Sequence, residues 1–556
     1  MKMLSKSVRQ QFGIRSIAAA LPLVLVASGA LAGVFGTLPD PVVEDGKTVY
    51  TLGSSTSTNM PTYANAMAFY DYIDWAALNV PAGAVAKFNG AIVLDDLPDG
   101  LEYDWSGCTR LALVNEDLVA EGKKVVIPSS ATALYYKSTV TKSEDSTTFT
   151  LSKPEGSTYK ADVELNGELY VGDGYEPTFE GMLTGSGKIA INNDGKVVNV
   201  LGGLSFEGSV EFGRTQENER LRILSNAEIS SIGYVGAYFT DHSTRGGPNA
   251  LYFTPNDDNL ASHELTVARL YLNGFSSGKL GANGLSSTVG RTRRWGLQLA
   301  TYSNNTIRVN QITGYDSPCL GLFADEGVNY RVGDSEPTFD KGVGNFILEG
   351  NDRVDAYFVS PMANVTLTGN HGNYAAQRYF YYTVESNVVN RADILDFSGI
   401  GGAGYDIGHN NVRVYGYSPA SLPHRIVNHK SRADRIHLYL SDSEWTMPFD
   451  FGAADVNPAR CETDIRNLHI PSTGTVYVTN ATTVADAAYP TEWTEYPVLT
   501  TVAGGVPTNE DGESVFTDWE VKTVGRWGQM KVEKVVKETG LYLRMRKVDA
   551  FSIIIR

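Results

Sequence analysis

Apolar and polar residues alternate along this chain in short runs, and most runs end in glycine, asparagine or aspartate. "GKKVVIPSS" (122–130), "TTFTLSK" (147–153), "ADVELNGELYVGDG" (161–174), "KIAINNDGKVVNVLGG" (188–203) and "ANVTLTGN" (363–370) all read this way. Period-two alternation bounded by turn formers predicts β-strands with one buried face. "NDG" and "NGE" supply the positive-φ positions that tight turns need. Helical periodicity is nearly absent. The exception is "YANAMAFYDYIDWAALNV" (63–80), where Met67, Tyr70, Ile73 and Ala77 fall at helical spacing and Pro81 stops the pattern. It predicts a short amphipathic helix, with a strand and loop as the alternative.

One phrase is written twice: "VGDGYEPTFEG" begins at Val171 and "VGDSEPTFDKG" at Val332. A coil of a β-solenoid uses about 20–30 residues, so the offset of about 161 residues corresponds to roughly seven coils of about 23. Two tandem β-sandwiches are the alternative. Short, closely spaced strands and the lack of a Cys-Trp-Cys pattern favour the solenoid. The expected fold class is therefore all-β, a parallel β-helix with a short N-terminal helical cap and a C-terminal β cap.

"LTGSGKIAINNDGKVVNVLGGLSFEGSVEFG" (183–213) resembles the autotransporter-associated β-strand repeat of exported bacterial proteins. "LTGSG" and "LGGLSFEGSVEFG" carry the match. "NVTLTGNHGNY" (364–374) and "AKFNGAIVLDD" (86–96) look like weaker copies, and the closing strands "YPVLTTVAGGV", "WEVKTV" and "GLYLRMRK" are also similar. The resemblance implies a right-handed parallel β-helix outside the cytoplasm with an adhesive or surface-structural role, and it supplies no catalytic residues. The stretch after about residue 480 is too short for a membrane barrel of ten or more strands, so self-secretion is not expected.

The N-terminus agrees with export. Lys2, Lys6, Arg9 and Arg15 precede an uncharged apolar stretch (16–29) and an Ala30-Leu31-Ala32 cleavage pattern, which is the form of a secretory signal peptide. The expected plan is a signal peptide (1–32), an N-terminal segment and cap (33–80), a β-solenoid (81–480) and a C-terminal β cap (481–556). Localisation is then extracellular or cell-surface, with the periplasm left open. Without residues 1–32 the balance is 42 basic against 63 acidic residues, or −21. Such a surface repels nucleic acid and anionic lipid. Partners are expected among extracellular glycans or cell-surface components, with no integral membrane domain. Cys108, Cys319 and Cys461 are too few and too scattered for a disulfide framework. Their simplest role is as small buried apolar groups, one pair being left open.

Candidate chemistry is sparse. Arg293, Arg294 and Trp295 concentrate cation and ring in "RTRRWGLQL", suited to an anionic glycan or to a solvated loop. In "QRYFYYTVE", Tyr379 and Tyr381 face one way and Phe380 and Tyr382 the other, so one face is core and the other a sugar-stacking strip or plain surface. Asp173 and Glu176 recur as Asp334 and Glu336, beside Glu180 and Asp340. These acids suit weak Ca²⁺ binding, although turn formation explains them more simply. No other cofactor is expected. Parallel β-helices also carry polysaccharide lyases and hydrolases, which need converging carboxylates. Asp95-Asp96, Asp257-Asp258 and His371 are the nearest approaches. The expected function is a non-catalytic exported adhesive or structural protein, and a carbohydrate-active enzyme on the same scaffold is the alternative.

Overall fold

The computed structural model describes residues 31–54, 70–113, 123–135, 141–142, 148–150, 157–172, 177–192, 197–212, 220–223, 227–234, 250–255, 263–273, 297–315, 319–324, 343–349, 354, 356–360, 362–369, 378–382, 391–400, 412–430, 433–484 and 487–548. They are mostly β, with almost no helix, and the strands form long parallel sheets. One sheet has 27 strands, a second has 12 and a third has three. Every pairing within the 12-stranded sheet is parallel, from Ser157–Tyr159 at one end to Asn467–His469 at the other.

Register explains the core. In the large sheet one column of paired residues runs Val125, Val163, Leu183, Leu204, Ala227, Leu265, Ile307, Phe346, Val365, Leu395, Ile426 and Thr463. None of these is more than 6% exposed. The 12-stranded sheet contributes Leu320, Tyr357, Phe380, Val414, Leu438 and Leu468 in the same manner. Inward side chains of both sheets belong to one continuous buried cluster. Parallel partners lie about 4.8 Å apart, so like residues stack on like and the alternation in sequence becomes a layered interior. Outward positions carry charge instead: Lys188 reaches Glu168 at 2.8 Å and Glu211 at 3.5 Å on neighbouring strands.

The glycines of "NGE", "SGK" and "EGS" line up in one column across neighbouring strands. A Cβ on Gly187 would lie 2.1 Å from the Gly167 carbonyl oxygen, and one on Gly208 would lie 1.9 Å from that of Gly187. The chain passes so closely over the preceding pass that only a hydrogen atom fits. Here Lys188 N–H donates to Gly167 O at 2.8 Å, and Ser209 N–H donates to Gly187 O at 2.9 Å.

The spacing between passes is not that of an even coil. Val163 pairs with Leu183 and Gly344 with Ala363. Ala227, however, pairs with Leu265, and Leu265 with Ile307, each roughly twice as far along the chain. Five pairing steps carry Val171 to Gly314 through Ile191, Phe212, Tyr234 and Leu272. Hence the residues between strands vary in number while the strand register persists. In the first copy of the repeated phrase, Pro177–Phe179 is a strand of the 12-stranded sheet, parallel to Ser157–Tyr159. The second copy lies outside the described residues.

The expected helix over 63–80 is corrected. Residues 55–69 are outside the described set, Asp71–Ile73 is a strand, and only Trp75–Leu78 is helical. Asp71–Ile73 pairs in parallel with Leu31–Phe35 on one side and with Val85–Leu94 on the other. Two sets of ladder bonds, with Ile73 fully buried, outweigh a weak helical spacing. Asp74 caps the single turn by accepting from Ala77 N–H, and Asn79 ends it in the left-handed region. Among the described residues no helix is long and apolar enough to cross a membrane. The strand Leu31–Phe35 spans the expected cleavage position. Among the described strands, antiparallel pairing is confined to Val42–Glu44 with Lys47–Leu52, to Gly540–Lys547 with both Thr494–Thr500 and Met530–Lys537, and to the short strands Leu31–Phe35, Thr141–Lys142 and Thr148–Thr150.

Candidate functional site: an aromatic ladder on the outer face

Arg378–Tyr382 is a strand of the 12-stranded sheet, and its two faces divide as the alternation predicts. Phe380 and Tyr382 are in the core at 0% and 3% exposure. On the opposite face, in-register pairing sets Tyr381 beside Tyr415, Tyr415 beside Tyr439, and Tyr439 beside His469. An adjoining column runs Tyr379, Arg413, His437 and Asn467. The rings stack because the ladder spacing is close to the distance at which planar groups meet face to face. Centroids are 5.2 Å apart for Tyr381 and Tyr415, 4.8 Å for Tyr415 and Tyr439, and 4.1 Å for Tyr439 and His469, with planes within 18° of parallel. Tyr379 stacks diagonally on Tyr381 at 5.8 Å. The Arg413 guanidinium lies 6.0 Å from the ring centroids of both Tyr379 and Tyr439.

The strip emerges gradually from the protein. Tyr381 is buried, Tyr379, Tyr415 and Tyr439 are half-buried, and His469 is exposed. Tyr381 is therefore the covered end of the row, and Tyr379 is the member of the predicted pair that reaches solvent.

His437 Nδ1 and His469 Nε2 are 3.0 Å apart, one donating and the other accepting. Both imidazoles are held below the ordinary histidine range, chiefly by burial. The neighbouring His469 and the Arg413 guanidinium lower His437 further, and Arg413 also lowers His469. Arg413 is raised above its usual value, first by a hydrogen bond with Tyr415. Burial raises the Tyr439 phenol. At neutral pH the strip therefore presents a fixed cation among uncharged imidazole and phenol rings.

Beside it opens a cleft of ≈ 480 Å³, lined by Tyr415, Tyr439, Ser441, Leu468, His469, Ile470 and Pro507 among others. That volume suits a small ligand or a short oligomer, and the lining mixes π-faces with hydroxyl and imidazole groups. Aromatic faces of this kind suit the C–H side of a flat ring, and hydroxyl groups suit its polar edge.

Arg293, Arg294 and Trp295 lie outside the described residues, as do Asp173, Glu176, Asp334, Glu336, the Asp257-Asp258 pair and His371. Among the described residues no group of three or more His, Cys, Asp or Glu side chains is arranged to hold a metal. Asp95 accepts from the Tyr72 hydroxyl, whereas Asp96 accepts from Leu97 N–H at 2.8 Å. The two carboxylates are thus occupied locally. Arg413, Tyr415, His437, Tyr439 and His469 escaped sequence reasoning. "VRVYG" and "IHLYL" do alternate, but nothing in either run states which strand it will neighbour.

No protein-family model, no curated protein and no solved structure matches this chain.

Proposed function

We propose that this chain is a right-handed parallel β-helix belonging to an exported protein, with a non-catalytic adhesive or structural role at the cell surface, and that its outer aromatic strip binds extracellular glycan. The β-helix reading is supported by the parallel register, in which a single column of residues repeats from Val125 to Thr463, and by aligned glycines that fall on the letters of the resembling repeat. Export is supported by the signal-like N-terminus. The observation that carries the binding role is the stack from Tyr415 through Tyr439 to His469, with rings 4.8 and 4.1 Å apart, bordering a cleft. Glycoside hydrolysis needs two carboxylates flanking the bond. The cleft is lined by phenol, hydroxyl, imidazole and aliphatic groups, which favours binding without cleavage.

Screening the purified chain against immobilised polysaccharides tests this reading. The wild type is expected to retain at least one glycan class. Tyr439→Ala removes the central ring and should weaken retention about tenfold, near 1.4 kcal/mol. A wild type that retains no glycan, or a Tyr439→Ala chain that binds as well as wild type, refutes the proposed role.

A further inference from the structure

The large sheet contains one uninterrupted ladder of nineteen strands, from Val42–Glu44 to Met530–Lys537. Each terminal strand belongs to a hairpin and is paired on one side among the described residues. An open edge offers main-chain donors and acceptors to another strand. The two edges differ in character.

At the first edge, Asp45 and Gly46 have φ of 49° and 78°, and they turn the chain tightly into Lys47–Leu52. Every residue from Asp40 to Thr48 is exposed. Val42 and Val43 are 55% and 72% exposed, an unusual cost for two adjacent valines on an open strand. Residues 37–46 hold three acids (Asp40, Glu44 and Asp45) and no base.

The opposite edge is basic. Residues 521–548 hold eight bases and two acids, a net charge of +6, which leaves −23 on the rest of a chain whose total is −17. Lys531 and Lys537 stand exposed on the edge strand itself, near Val532, Val535 and Val536, whereas Lys534 turns back to donate to the carbonyls of Phe516, Thr517 and Trp519. Some of this charge is matched locally. Lys531 holds Glu533 at 2.7 Å, Lys537 holds Glu495, and Glu44 holds Lys87 at 3.3 Å. These surface pairs contribute little, and the surplus at each end remains.

We propose that copies of this chain join end to end, the acidic hairpin of one seating against the basic edge strand of the next. Lysine on an edge strand blocks pairing of that edge with itself, because it would set like charges opposite one another. The acidic hairpin is blocked from self-pairing in the same way. Neither restriction applies to the mixed joint, where acid meets base and the exposed valines find apolar partners. A joint between unlike surfaces does not satisfy itself within a pair, so it propagates into an open filament. The inference rests on the observed ladder and its charges and does not depend on glycan binding.

Sedimentation velocity on the full chain, with electron microscopy of the same samples, tests it. The wild type is expected to associate as its concentration rises through the micromolar range, and less so in high salt. Asp40→Lys/Glu44→Lys alters the acidic end, and Lys531→Glu/Lys537→Glu alters the basic end. Each variant alone should need at least about tenfold more protein to associate. Mixed in equal amounts, the two should associate again, because the altered ends complement each other and the unaltered ends still match. Restoration by mixing cannot come from misfolded chains. A wild type that stays monomeric, variants that associate like wild type, or a mixture that stays monomeric each overturns the proposal.

Discussion

Replacing Gly187 by alanine should damage this fold far more than an exposed glycine substitution. The added Cβ would sit 2.1 Å from Gly167 O, 2.8 Å from Asn166 C and 2.9 Å from Gly167 N, all backbone atoms that cannot rotate away. Ordinary contact begins at 3.4 Å, so the backbone would have to separate by about 1.3 Å or more. That shift breaks or stretches the Lys188 N–H to Gly167 O bond of 2.8 Å and the Ser209 N–H to Gly187 O bond of 2.9 Å. Two backbone hydrogen bonds at about 1 kcal/mol each, added to overpacking of about 1–3 kcal/mol, give a loss of about 3–5 kcal/mol. Gly512→Ala is the control: its φ is +79°, but nothing lies within 4 Å of the new methyl, so only the conformational cost of about 1 kcal/mol applies. Urea unfolding followed by far-UV circular dichroism measures both, with amide exchange at Lys188 and Ser209 reporting the local loss. If Gly187→Ala proves no costlier than Gly512→Ala, the close stacking of successive passes is wrong.

Two further outcomes follow from titratable groups that the fold shifts. His437 and His469 are lowered by burial in the folded protein, so the unfolded chain binds protons more readily; the stability is fully present above about pH 6.5 and is lost as pH falls below it towards the folded values. Denaturation between pH 7.5 and 5.5 should show this loss, and His437→Gln should show less of it, whereas an equal loss in both proteins would remove the histidine pair as its source. Cys108 and Cys461 are buried free thiols that burial pushes up to about 12, so iodoacetamide at pH 8 should modify them only after unfolding. Mass spectrometry of the two peptides gives the rate, and native-state labelling at the speed of a free thiol would contradict their placement.

Strand pattern was the legible part of this sequence. Ile189 and Val198 lie in a run (188–203) whose alternation predicts one buried face, and both are buried. The glycines of "LTGSG" were legible as turn formers, but their real constraint, a carbonyl about 2 Å from the missing Cβ, depends on the neighbouring pass. An even spacing of about 23 residues is not kept by the strands after residue 227, because segments between strands can lengthen without disturbing register. Asp71–Ile73 was misjudged because helical spacing is a local signal and two-sided pairing is not. The strip was half legible. Tyr379 and Tyr381 announced a face, whereas Tyr415, Tyr439 and His469 join it only through parallel pairing between strands well separated along the chain.

Parallel pairing of successive passes is the claim beneath all of this, and paired cysteines test it most directly. In a parallel ladder the difference between partner numbers is constant; in an antiparallel one their sum is constant. Thr184 pairs with Ser205 and Lys188 with Ser209, with the same difference in both pairs, and all four side chains reach the surface at least in part. Thr184→Cys/Ser205→Cys and Lys188→Cys/Ser209→Cys should therefore both form intramolecular disulfides under mild oxidation. Antiparallel pairing permits one of these bonds at most, so failure of either variant to cross-link, in chains folded as wild type by circular dichroism, would contradict the account.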